Sequence, residues 1–287
     1  MISSMTGFAT ASTELDAGSL TVELRSVNHR YLDLQLRMPD ELRVLEPALR
    51  EAISAQLNRG KAECRISFTP RTGQNTAQVN HTTLQQLMQW NDEIRAALPD
   101  ARSLSVAEIL RWDGILQSAA TSADALHAAT LELAQRAISE FSAAREREGE
   151  KLKDFLLSRV TQIETICADV APRIPAAVAA YREKLTARLR AAMPDMDEDR
   201  LNQEIVLFAS RIDVDEELSR LRAHLTETRR VLTQGGAVGK RLDFLMQELH
   251  REANTLGSKS VDAEVSRASM DIKLLIEQMR EQVQNLE

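Results

Sequence analysis

The stretch TVELRSVNHRYLDLQLRMPDELRVLEPALREAISAQLNRGKAECRISFTP, residues 21–70, decides the fold. In its first part Val22 and Leu24 alternate with Glu23 and Arg25, the two-residue period of a strand with one buried face. Leu32, Leu34 and Leu36 repeat that alternation, with Asp33, Gln35 and Arg37 on the other side. Pro39 and Asp40 then open a helix. From here the apolar spacing changes to three and four, through Leu42, Leu45, Leu49, Ile53 and Leu57, until Asn58-Arg59-Gly60 supplies a stop. Ala62 to Thr69 returns to a strand, which Pro70 closes.

Outward from this stretch, a first strand is expected near Ile2 to Ala11 and a second helix from about Leu84 to Leu98. The resulting order, βββαβα, resembles the S5 domain-2-like superfold, an order that by itself carries no function. Beyond Pro99 the pattern is helical. Leu152, Phe155, Val160, Ile163, Cys167 and Val170 form one stripe, after an AREREG segment (residues 144–149) that reads as solvated helix. Pro172 and Pro175 turn the chain into a helix ending near Met193-Pro194. Leu201, Ile205, Phe208 and Ile212 form another stripe. The phase slips at Asp213, where Asp213 and Glu216 have capping-box spacing, and resumes with Leu218, Leu221, Leu225 and Leu232. Gly235-Gly236 ends that helix, a further one runs from about Val238 to Leu256, and a last one carries Val265, Ile272, Met279 and Leu286 at sevenfold spacing. Such a stripe packs against another helix or meets a second subunit. The class is α+β, divided into an N-terminal α+β domain (1–99), a helical middle region (100–195) and a C-terminal helical domain (196–287).

Composition sets bounds on function. Aromatic residues are only 3% of the 287, so the core is built mostly from aliphatic side chains and Met. Cys64 and Cys167 lie far apart with no CxxC partner, which excludes a zinc ribbon or a redox pair. No apolar run approaches the roughly 18 residues of a membrane span, and MISSMTGFATAS lacks a signal-peptide pattern, so a cytoplasmic location is expected. The formal net charge of −7 weighs against a simple nucleic-acid binder, although one groove can still be lined by Arg and Lys.

Three clusters can carry chemistry. GGAVGKR (235–241) is not a phosphate loop: it has one residue too few between glycines, and Arg241 stands where Ser or Thr would hold magnesium. It nevertheless puts Lys240 and Arg241 at a helix start, where phosphate is favoured. On the preceding helix Glu217, Arg220, His224 and Glu227 share one face. An imidazole among carboxylates can bind a divalent ion or exchange protons near neutral pH, and the same pattern also describes an exposed face of ion pairs. On the following helix Asp243, Gln247, His250 and Asn254 share a face, while Glu248 and Glu252 repel each other at i, i+4 unless a cation or a metal relieves them. Oxygen ligands with an imidazole suit Mg²⁺ or Mn²⁺. The third cluster, ELRSVNHRYLD (23–33), crowds Arg25, Asn28, His29, Arg30 and Tyr31 at a strand end, with donors for phosphate and a ring for stacking; a polar turn with surface arginines is the plainer account.

Several long words resemble the YicC/YloC family in order along the whole chain: SMTGF, ELRSVNHRYLD, PDELRVLEPALR, NRGKAEC, AREREG, RIDVDEELSRLRAHL, VGKRLDFLMQELHREANTLGSKS and LIEQMREQVQNLE. The resemblance implies a divalent-metal-dependent endoribonuclease that acts on RNA and assembles as a homohexamer. The matching words contain Glu217, Arg220 and His224, then Asp243, Gln247, Glu248, Arg251, Glu252 and Asn254, then Ser258 and Lys259; His250 stands where the family pattern has Asn. The side chains expected to hold metal are Glu217, His224, Asp243, Glu248 and Glu252. Of these, His224, Glu217, Glu248 and Glu252 are expected to act in cleavage. Arg25, Asn28, Arg30, Arg220, Lys240, Arg241, Arg251 and Lys259 are expected on the RNA path. A non-catalytic RNA-binding adaptor that modulates another ribonuclease is the alternative, favoured by the basic N-terminal cluster.

Overall fold

A computed structural model describes residues 2–71, 78–117, 123–193 and 197–287; the expectations for Pro194, for the boundary after residue 195 and for the side chains of Leu201 and Phe208 lie outside the described residues. The N-terminal sheet contains β1 (Gly7–Leu15), β2 (Gly18–Val27), β3 (Leu32–Arg37) and β4 (Gly60–Pro70), in the order β1-β2-β4-β3. β2 is antiparallel to both neighbours, while β3 and β4 are parallel, joined by a crossover helix as parallel strands require. The alternation read in residues 21–27 is obeyed up to Arg25, with Val22 and Leu24 fully buried and Glu23 and Arg25 facing outward, but at the strand end the polar Ser26 is buried and Val27 is exposed.

The crossover is not one helix. A 3₁₀ turn spans Asp40–Leu45 and α1 spans Glu46–Ser54. Pro47 lies in the first turn of α1. It has no N–H to bond the carbonyl four residues back, so a continuous helix cannot pass through it and a new one begins there. Leu42, Leu45, Leu49, Ile53 and Leu57 are all buried nonetheless, because the 3₁₀ turn keeps them on the inner side. The first strand begins at Gly7 rather than Ile2: Ile2 packs in the C-terminal core instead.

After β4, a two-residue strand β5 (Gln78–Val79) pairs with β6 (Leu116–Gln117) and closes an excursion holding α2 (His81–Ala97) and α3 (Val106–Arg111). Asn80 starts α2 by accepting from Thr82 N (3.1 Å) and Thr83 N (3.2 Å). Among the described residues of α2 only Leu87 is buried, so α2 does not cover the sheet. That role falls to α4 (Ala123–Val170), 48 residues and so about 70 Å long. Its first half lays Leu133, Ala134, Ala137 and Phe141 on the sheet. Its second half lays Leu152, Leu156, Val160, Ile163 and Cys167 in a second core.

That second core is a bundle of α4 with α7 (Asp215–Gln234), α8 (Gly239–Lys259) and α9 (Ala263–Val283); α5 (Arg173–Ala192) and α6 (Glu198–Arg211) precede it. A fresh helix does start after Asp213, but no capping box forms. Asp213 accepts from Asp215 N (3.1 Å), and Glu216 is drawn to Arg220 instead. The sevenfold stripe Val265, Ile272, Met279 and Leu286 is buried against the chain's own helices, so it is core rather than a face awaiting a subunit.

The segment AREREG departs from expectation most sharply. Arg145 is only 4% exposed. Its Nε donates to Ser4 O (2.7 Å), its Nη1 donates to Gln56 O (2.9 Å), and its Nη2 pairs with the Glu287 carboxylate. Four residues on, Gly149 meets the backbone of Ile2, whose carbonyl oxygen would lie 2.1 Å from any Cβ. Residues 2–5 thus lie along α4, and Glu287 N donates to Ser3 O (2.9 Å) and Met5 N to Asn285 O (2.8 Å). Arg145→Ala strands a buried carboxylate and two carbonyls, and urea denaturation should show a loss of about 3–5 kcal/mol. Glu287→Gln, which keeps an acceptor, should cost clearly less; equal losses would mean that the charge pair alone carries the stabilisation and the two carbonyl contacts add nothing.

Candidate active site

Helices α7 and α8 form an antiparallel hairpin about Gly235-Gly236, both with positive φ (70° and 87°). Leu218, Leu221, Leu225 and Leu232 of α7 and Leu242, Leu245, Leu249 and Leu256 of α8 are buried. With the apolar stripes fixed on the bundle, the remaining faces of the two helices meet along one edge. Residues roughly equidistant from the turn are paired there. Nearest the turn, Glu227 binds Arg230 through two hydrogen bonds (2.6 and 2.7 Å) and also pairs with Arg241. Farthest from it, Glu217 accepts from Lys259 Nζ (2.8 Å), which also donates to Asp213 O (3.3 Å).

Between these ends lies the one metal-compatible group of three found among the described residues: His224 with Glu248 and Glu252, each offering a donor atom within 4.8 Å of the others. Glu252 is almost wholly buried, its side chain 3% exposed, and that of Glu248 is 18% exposed. Arg251 contacts both carboxylates (2.5 Å to Glu248, 3.3 Å to Glu252), and Arg220 approaches Glu252 at 3.7 Å. The guanidinium of Arg251 therefore answers the i, i+4 repulsion, while its own side chain stays 60% exposed. His250 is not in the group. Glu217 lies two turns from His224 along α7 and is engaged by Lys259; Asp243 accepts from Gln247 (2.9 Å).

The turn side of the hairpin borders a cleft of about 750 Å³ lined by Arg30, Tyr31, Asn58, Arg59, Gly239 and Lys240 among others. It brings Arg30 of the β2–β3 turn to the start of α8, two places separated by more than 200 residues of sequence. Arg59 Nη2 donates to Leu286 O (2.5 Å), and Gly239 leaves room for it, since a Cβ there would lie 2.7 Å from that nitrogen. The other side chains expected on an RNA path have protein partners. Arg25 pairs with Glu63, and Asn28 donates to Gln284 O (2.8 Å). Arg241 pairs with Glu227, Lys259 with Glu217, and Arg220 and Arg251 with the carboxylates of the hairpin. The reading from sequence missed Arg59 and Arg145. Arg59 was read as part of a helix stop, and only its spatial neighbours reveal more.

The pairing at the turn has a pH signature. Arg230 first, and then Arg241, hold the Glu227 carboxyl down to about 2. A carboxyl depressed on folding contributes stability that is complete above its unfolded value, near 4.5, and is lost as pH falls toward about 2. Carboxyl NMR should place the Glu227 midpoint near that lower value, and Arg241→Gln should raise it. An unmoved midpoint would show that Arg241 does not hold Glu227 in solution.

Residues 2–154 match the family described as "Endoribonuclease YicC-like, N-terminal region", and residues 170–287 match "Endoribonuclease YicC-like, C-terminal". Over 288 residues, covering the whole of both chains, this chain is 40% identical to the protein of Haemophilus influenzae named "Probable endoribonuclease YicC". It is 28% identical, again over the whole of both, to a protein of the same name from Clostridioides difficile. With both halves matched and full-length identity at this level, the chain belongs to the YicC-like family.

Proposed function

We propose that this protein is an endoribonuclease that requires a divalent cation, Mg²⁺ or Mn²⁺, held by His224, Glu248 and Glu252. The names of its relatives support the activity, and the juxtaposition of these three side chains across the α7–α8 hairpin carries the assignment of the site. The donor set fits such an ion. It offers carboxylate oxygens and one imidazole nitrogen, with no thiolate, and the two carboxylates already attract cationic groups from Arg251 and Arg220. When bound, the cation would polarise a phosphoryl oxygen and make a bound water more acidic.

The protein's own groups do the remainder. Glu252, buried and held between Arg220 and Arg251, forms the base of the site. Glu248 is the more exposed carboxylate, and its oxygen not engaged by Arg251 Nη2 would take the proton of the attacking water as the new P–O bond forms and the P–O bond to the leaving oxygen breaks, that oxygen taking its proton from solvent. Arg220 and Arg251 are half exposed or more, so each can turn from a carboxylate to a phosphate and offset the charge that builds up on it during cleavage. Lys259 and Glu217 tie the start of α7 to the end of α8 and hold the two faces in register. Self-association, up to the hexamer expected from the resemblance, also belongs to this proposal. Sedimentation of a stable monomer at micromolar concentration would refute it.

Labelled RNA incubated with the purified protein should be cut internally in Mg²⁺ or Mn²⁺ and left intact in EDTA. His224→Ala and Glu248→Gln should each lower the cleavage rate by at least roughly 100-fold while RNA binding and melting temperature stay near wild type. Wild-type cutting by both variants would move the site elsewhere. Full activity in EDTA would remove the cation from the mechanism, and binding without any cutting would favour the adaptor.

A further inference from the structure

The cleft at the start of α8 is distinct from the His224 group. Lys240 and Glu248 are eight residues apart on one helix, about 12 Å along its axis. Its lining is unusual in four respects. Tyr31 is 65% exposed in a chain with few aromatics. The ring does not hang free: its backbone is fixed by Gly60 N donating to Tyr31 O (3.2 Å), and Arg30 lies over the ring at 5.3 Å. Arg59 reaches the cleft beside Gly239, while Glu287, the acid on its wall, is already matched by the buried Arg145.

The fourth feature is electrostatic. α8 begins without a side-chain cap and without an acid in its first turn, and carries Lys240 and Arg241 there instead. Cations at the positive end of a helix oppose the helix dipole, and the first N–H groups lack a side-chain acceptor. Arg241 is relieved by Glu227. For Lys240 no ion pair is found among the described residues, and it lines the cleft together with Arg59 and the start of α8, three groups that favour an anion.

From this we propose that the cleft is a nucleotide subsite for single-stranded RNA: Lys240, Arg59 and the first turn of α8 take a phosphate, and the base stacks on Tyr31 beside Arg30. The inference rests on the reading of RNA as substrate and adds to it where the strand is gripped and in what form. A volume of about 750 Å³ suits one nucleotide unit with solvent. Stacking requires an unpaired base, so the subsite selects single strands over duplexes, and its distance from the His224 group makes it the seat of a nucleotide flanking the one that is cut.

The test is binding of a fluorescent oligoribonucleotide in EDTA, where affinity is measured without cutting. Tyr31→Ala should weaken single-stranded binding roughly five- to a hundredfold, Tyr31→Phe should retain it, and duplex RNA of equal length should be little affected by either. Lys240→Ala should weaken single strands and lower the salt dependence by about one unit of slope. These side chains are exposed, and matching melting temperatures will confirm that the variants fold. Wild-type affinity in both Ala variants overturns the subsite, whether or not the protein cuts RNA. An equal loss on duplex RNA overturns the stacking role of Tyr31. Displacement of the oligomer by equimolar adenosine monophosphate would mean that the occupant is a free nucleotide, and the strand subsite falls. If the predicted losses appear in a protein that never cuts, the subsite stands and the cleavage reading fails.

Discussion

A single buried guanidinium holds the architecture together. Arg145 lies midway along α4, at the point where that helix leaves the N-terminal sheet and enters the C-terminal bundle. It bonds residue 4, residue 56 and residue 287 at once. Taking a guanidinium out of water is costly, and only full satisfaction by a carboxylate and carbonyls makes it tolerable. Here that satisfaction is divided among three remote segments, so each must arrive for the others to be stable. The close approach of residue 2 at Gly149 and the bridge between Ser4 and Leu286 follow from the same knot.

The knot fixes the functional geometry too. Leu286 O receives Arg59, and Gln284 O receives Asn28, so residues 284–287 act as a splint between the turns of the N-terminal domain and the start of α8. Without that splint Arg30 and Tyr31 would belong to an ordinary polar turn, and Lys240 to an ordinary helix start. The basic cleft is therefore a tertiary product: no segment of fewer than 200 residues contains it.

How much was legible in the sequence follows from the range of the interactions. The strands β2, β3 and β4 were readable because their alternation is a local record of a buried face, and α7 to α9 because their leucines recur at helical spacing. The split of the first helix was also written locally, in Pro47, but the leucine spacing masked it. The facing of His224 with Glu248 and Glu252 was half readable: the short glycine turn predicts antiparallel neighbours, while the rotation of each helix depends on which leucines the bundle takes in. Arg145 was misread because an Arg among Glu and Arg on a helix carries no sign of burial; its partners lie 141, 89 and 142 residues away.

The acidic total of −7 describes the whole surface and not any one site. Net charge sums over the surface, whereas an anionic strand responds to the local field. Along the hairpin, Glu217, Glu227, Glu248 and Glu252 each have a cation within contact distance, so the edge is close to neutral at short range despite its acids. At the cleft the one acid is matched from inside by Arg145, and the cations on the open side keep their charge. The buried arginine that joins the two halves thus also decides the sign of the cleft. If Arg145 did not neutralise it, the Glu287 carboxylate would stand beside Lys240 and Arg59 as their ion-pair partner, and little positive field would remain for a phosphate.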